Sequence, residues 1–128
     1  MLTSKYFELQ ELVSPEIYEV LEDDAWKVID PQLIETIDKV REILNVPLIC
    51  NNWHWGGARK NSGMRAKTYP YGAPKSYHKR GQAVDLISHK MSAKEMREIL
   101  EERQDELPYP IRIEKWDDKG ELTWVHID

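Results

Sequence analysis

Apolar residues recur most regularly between Asp30 and Asn45. Leu33, Ile37, Val40 and Leu44 fall at helical intervals, with Glu35, Asp38, Lys39 and Glu42 on the other side. Asp30-Pro31 supplies a cap and a first-turn proline, and Asn45 can close the helix in the left-handed conformation. Ser14-Pro15-Glu16 repeats that start signal and predicts a shorter helix to about Leu21. Ser92-x-x-Glu95 is a capping box, with Met91 and Met96 placed as its hydrophobic staple. The helix it opens should run to about Glu106, before Pro108 and Pro110. Val46 to Cys50 is a short apolar run and predicts a buried strand; Gln82 to Ile87 predicts a second. Ile111-Arg112-Ile113 and Leu122 to Ile127 flank the turn residues Asp117-Asp118-Lys119-Gly120, so the chain should end in a hairpin. Residues 1–13 read as a lead-in of mixed character.

Between Asn51 and Lys75 both periodicities fail. This stretch holds Gly56, Gly57, Gly63, Pro70, Gly72 and Pro74, together with Trp53, Trp55, Tyr69 and Tyr71. Loops of this length in compact domains are commonly functional or disordered, and the aromatic content favours an ordered, functional one. The expectation is a single α+β domain over residues 1–128, with N-terminal helices, a small antiparallel sheet and a C-terminal hairpin. A chain of this size can bury a core without staples.

Charge narrows the partners. The formal net charge is −5, which argues against a nucleic-acid surface. The exception is the stretch Arg59 to Arg80, where Arg59, Lys60, Arg65, Lys67, Lys75, Lys79 and Arg80 occur without an acid. It reads either as a solvated loop or as a patch for an anionic ligand. No apolar run approaches the ~20 residues that span a bilayer, so membrane insertion is not expected. The first residues lack an apolar stretch of signal-peptide type. Cys50 is the only cysteine, so no internal disulfide can form, and its apolar surroundings read as those of a buried small hydrophobe.

The candidate chemistry lies in two places. Ser76-Tyr77-His78-Lys79-Arg80-Gly81-Gln82-Ala83-Val84-Asp85 carries His78 and Asp85 seven positions apart. In one straight strand they would face opposite ways. Gly81 allows a bend between them, so that both can converge. His126 stands in the last strand among Trp124, Val125 and Ile127, where a polar group needs a reason. Two imidazoles and a carboxylate suit one Zn²⁺ per chain, with a fourth position open as in catalytic zinc sites.

Ser76-x-His78-x-x-Gly81-x-Ala83-x-Asp85 followed by Trp124-Val125-His126 resembles the D-Ala-D-Ala carboxypeptidase family of zinc peptidases. That family includes phage endolysins that cut L-alanyl-D-glutamate bonds, and it shares its fold with the Hedgehog signalling domain. The resemblance covers about residues 46–128. It implies a Hedgehog-like fold, His78, Asp85 and His126 as zinc ligands, and a D-amino-acid-containing peptidoglycan peptide as substrate. It also implies an endolysin- or carboxypeptidase-type activity. Synthesis in the cytoplasm with release through a separate pore would suit a phage lysin.

The departure is at the general base. Several members carry an acid three residues before the last ligand, where this chain has Thr123. Glu114, on the partner strand, is the first candidate replacement and Asp128 the second; Glu121 should face away unless a bulge intervenes. A tight two-residue turn would pair Glu114 with Thr123, on the wrong face, whereas a bulge such as one at Gly120 would turn it to the metal. For substrate binding, Arg65 can clamp a carboxylate, with Arg59 as its rival. Trp53 and His54 can wall the cleft, and Ser76 is counted with them. The alternative function is a non-catalytic zinc-binding domain that holds a ligand or partner.

Overall fold

The computed structural model describes residues 2–70, 76–117 and 119–128, so Tyr71, Gly72, Pro74, Lys75 and Asp118 of the readings above lie outside the described residues. The described elements are α1 (Leu9–Leu12), α2 (Pro15–Leu21), α3 (Pro31–Leu44), β1 (Val84–Leu86), α4 (Ala93–Glu102), β2 (Ile113–Asp117) and β3 (Gly120–Ile127). Short 3-10 turns lie at Glu22–Val28, Trp53–Trp55, His78–Arg80 and Gln104–Glu106. The architecture is α+β, with a three-stranded antiparallel sheet in the order β1-β3-β2.

The three longer helices begin where side-chain oxygens meet unpaired N–H groups. Ser14 Oγ accepts from Ile17 N–H at 3.4 Å, Asp30 Oδ1 from Gln32 N–H at 2.8 Å, and Ser92 Oγ from Glu95 N–H at 3.2 Å. Asn45 ends α3 in the left-handed region at φ 52°. α4 stops at Glu102, short of the expected Glu106, and a 3-10 turn carries the chain on to Leu107. α1 was not expected. Its four residues are too few to show a period, and reciprocal bonds between Glu8 and Glu11 hold it.

Strand alternation divides the sheet. Val84, Leu86, Val125 and Ile127 are buried and join Ile34, Ile37, Val40, Met96 and Leu100 in one core. α4 packs on β3 and against α3. Asp85 and His126 alternate with those apolar residues and therefore share the other face, directly opposite each other in the ladder. Glu114 stands opposite His126 from the β2 side.

Two strand expectations need correction. Val46 to Cys50 forms no strand; it makes one antiparallel bridge, Ile49 to Ile87, with bonds of 2.8 and 2.9 Å. Pro47 has no N–H for a ladder, and Asn51 N–H turns away to Glu11 O at 2.9 Å. The second strand is shorter than Gln82 to Ile87 because Gln82 is engaged elsewhere. Its N–H reaches Tyr77 O at 2.9 Å and its side chain Asp30 Oδ2 at 3.0 Å.

The hairpin is irregular. Asp117 pairs with Gly120 and Trp116 with Glu121, yet Glu114 pairs with His126. Lys115 alone thus faces the stretch Leu122 to Val125. The register shift lies between Glu114 and Trp116 rather than at Gly120, which at φ 125° is itself paired with Asp117 at the turn. Carbonyls in the surplus length of β3 need other donors. Buried Arg97, from α4, donates to Leu122 O at 3.0 Å and Trp124 O at 3.1 Å, and pairs with Glu121 Oε1 at 2.9 Å.

Candidate metal centre

His78 is delivered by a bend. It begins the 3-10 turn that Gly81 closes at φ 70°, with Gly81 N–H donating to His78 O at 3.3 Å. A Cβ at Gly81 would also meet Val28 O at 2.6 Å, so glycine is required for two reasons. The segment Ser62 to Arg65 stitches this turn to the rest. Met64 N–H donates to Leu12 O at 2.7 Å, Arg65 N–H to His78 O at 3.1 Å, and Asp85 N–H to Ser62 O at 2.7 Å. Gly63 lies so close to Leu12 that a Cβ would sit 2.2 Å from its carbonyl oxygen. Below it, fully buried Asn51 donates to Val13 O at 2.9 Å and accepts from Ser62 N–H at 2.9 Å.

Three side chains converge. One ligand atom each from His78, Asp85 and His126 lies within 4.8 Å of the others, so the group can hold a metal ion. Asp85 Oδ1 is 2.8 Å from His126 Nδ1 and 3.4 Å from His78 Nε2. The outer ring nitrogens are also held: His78 Nδ1 bonds Gly63 O at 3.0 Å, and His126 Nε2 bonds Asp128 Oδ2 at 2.8 Å. Partners on the far nitrogens are what orient metal-ligating imidazoles. Burial pushes the Asp85 carboxyl up, but hydrogen bonds and charge from His126 and His78 outweigh it and bring it to about 2. Burial disfavours His126 imidazolium, yet bonds to Asp85 and Asp128 raise its pKa on balance. Burial likewise pushes Asp128 up, and Arg112 and His126 bring it below its ordinary value.

The other expected site residues divide. Arg65 borders the cluster, with Nη2 3.7 Å from Asp85 Oδ2, its Nε bonded to Asn61 O at 2.7 Å and its guanidinium 5.7 Å from the Tyr69 ring centroid. Arg59 instead reaches Ser62 Oγ at 3.5 Å. Glu114 is exposed and opposite His126, in the register that the bulge argument requires. Asp128 lies at the ring edge of His126 away from Asp85, and Glu121 is engaged by Arg97. Ser76 Oγ accepts from Lys79 N–H at 3.3 Å. Trp53 donates to Val13 O at 3.0 Å and packs on Tyr18, which ties it to the N-terminal helices. His54 stacks on exposed Trp55 with centroids 4.1 Å apart; its Nε2 lies 3.3 Å from Glu8 Oε2, without hydrogen-bond alignment.

The basic stretch is not a uniform patch. Lys79 is buried and donates to Tyr69 O at 2.9 Å, while Lys60, Lys67 and Arg80 are exposed. Cys50 is fully buried, and burial pushes its thiol up. Among the described residues no helix is long and apolar enough to cross a membrane. Two contributors escaped the sequence reading: Arg112, which pairs with Asp128, and the Gly63 carbonyl, which holds His78. Neither carries a sequence signal, because both act through long-range register. Compared with models of known families, with curated proteins and with solved structures, the chain gives no match.

Proposed function

We propose that this chain is a zinc-dependent peptidase that hydrolyses D-amino-acid-containing peptides of bacterial peptidoglycan, with a Hedgehog-type fold. The observation that carries the reading is the convergence of His78, Asp85 and His126, with Glu114 opposite His126 on the same face. The motif resemblance points to the same three ligands. The donor set of two nitrogens and one oxygen suits zinc, and the far nitrogen of each imidazole already has a partner. Bound zinc supplies a Lewis acid that polarises the scissile carbonyl and acidifies water. Glu114 accepts a proton from the attacking water and returns it to the leaving amine. Arg65, half-buried beside Asp85, binds a peptide carboxylate.

A second reading is a metal-holding module without hydrolysis. It is favoured by exposed Thr123, which occupies the position where several members of the resembled family carry an acid. One experiment separates them. Protein purified without chelator is assayed for zinc and incubated with purified peptidoglycan. About one zinc per chain together with released peptides is expected. Zinc without cleavage transfers the case to the module, and no zinc removes both readings.

A further inference from the structure

His78 and His126 are held from outside by different chemistry. The outer nitrogen of His78 meets a neutral backbone carbonyl, whereas that of His126 meets a carboxylate. The Asp128 side chain is only 7% exposed, and it is gripped twice more. Arg112 Nε donates to Oδ1 at 3.0 Å and Nη2 to Oδ2 at 2.8 Å, a bidentate pair. The backbones of the two residues also exchange hydrogen bonds, Arg112 N–H to Asp128 O at 2.8 Å and the reverse at 3.1 Å. The Arg112 guanidinium lies 5.9 Å from the ring centroid of Tyr77, the neighbour of His78. The carboxylate is therefore fixed by main chain and side chain together.

A carboxylate oxygen only accepts hydrogen bonds, so His126 Nε2 must carry a proton. By the same rule Nδ1, 2.8 Å from Asp85 Oδ1, carries a proton in the metal-free ring; a metal ion at the cluster would take the place of that inner proton and leave Nε2–H on Asp128. Resting on the zinc reading above, we propose that Asp128, clamped by Arg112, is a positioning residue. It fixes His126 in the Nε2–H form and strengthens Nδ1 as a ligand. It is not the general base, since both its oxygens are engaged at the ring edge away from the cluster.

The test is zinc affinity, measured by competition with a chromophoric chelator, for wild type, Asp128→Asn and, as a control on the exposed side of α4, Glu98→Gln. Asparagine offers a weaker acceptor and breaks the bidentate pair. Zinc binding should weaken by roughly 10–100-fold in the Asp128→Asn variant and stay unchanged in Glu98→Gln. An unchanged affinity in Asp128→Asn overturns the proposal. Imidazole nitrogen shifts of the zinc-loaded wild type give a readout that does not depend on the variant folding. His126 should carry its proton on Nε2, and a proton on Nδ1 with zinc on Nε2 overturns the proposal. A wild type that takes up no zinc overturns this inference and the zinc reading together. Tight wild-type binding with Asp128→Asn unaffected overturns this inference alone.

Discussion

The two faces of the three-stranded sheet use alternate residues of the same strands, yet different forces hold them. On one face Val84, Leu86, Val125 and Ile127 exclude water against α3 and α4. On the other, Asp85, His126 and Glu114 form a row across β1, β3 and β2. The apolar face is stabilised by burial, a non-directional force that tolerates substitution of similar volume. The polar face depends on register, because a one-residue slip of a strand would carry Asp85, His126 or Glu114 to the wrong side. Burial on the first face sets the position at which charge converges on the second.

The contrast can be broken from either side. Leu100 is fully buried beneath the sheet, so Leu100→Ala should cost about 2–5 kcal/mol in urea unfolding. The cost should be the same with and without zinc. Zinc at a hundredfold excess over its dissociation constant should stabilise the wild type by about 2.7 kcal/mol. In His126→Ala that zinc-dependent increment should vanish. An increment that survives would make His126 a core residue rather than a ligand.

The dependence on pH sharpens the comparison. Asp85 titrates near 2 in the fold against an ordinary 3.8. Its contribution, about 2 kcal/mol, is present above pH 3.8 and lost as pH falls toward 2. His126 is shifted the other way, above 6.5. Its contribution is full below pH 6.5 and fades as pH rises through the folded value. Chelated protein should therefore be most stable in the mildly acidic range between these limits. Zinc needs deprotonated imidazoles, so the zinc increment should grow with pH instead. Unfolding curves across pH, with chelator and with zinc, check both signs.

The smallest expected effect on stability is at Glu114. Its carboxylate is exposed, so Glu114→Gln should leave unfolding and zinc content unchanged. Hydrolysis of peptidoglycan should fall by about 10²–10⁴-fold. Full activity in this variant would remove Glu114 from the chemistry.

Local signals made much of this legible in the sequence. The caps at Ser14, Asp30 and Ser92 were readable because each acts within three residues. Gly81 could be read as a bend, and the spacing of His78 and Asp85 then had a use. What was not legible depends on distant partners. The run Val46 to Cys50 has strand composition, but Pro47 and the diversion of Asn51 leave it a single bridge. The carbonyls of Leu122 and Trp124 in the irregular part of the hairpin are bonded by Arg97, a helix residue that no strand pattern could announce. Asp128 was visible as a carboxylate near His126, but only the Arg112 pair reveals which side of the ring it serves.

X-ray absorption at the zinc edge tests the central claim most directly. With one equivalent of zinc, the account predicts nitrogen and oxygen ligands at roughly 2.0–2.2 Å, with scattering from two imidazoles and no sulfur. His126→Ala should reduce the count to one imidazole. A sulfur ligand near roughly 2.3 Å, or an imidazole count that His126→Ala leaves untouched, would contradict it.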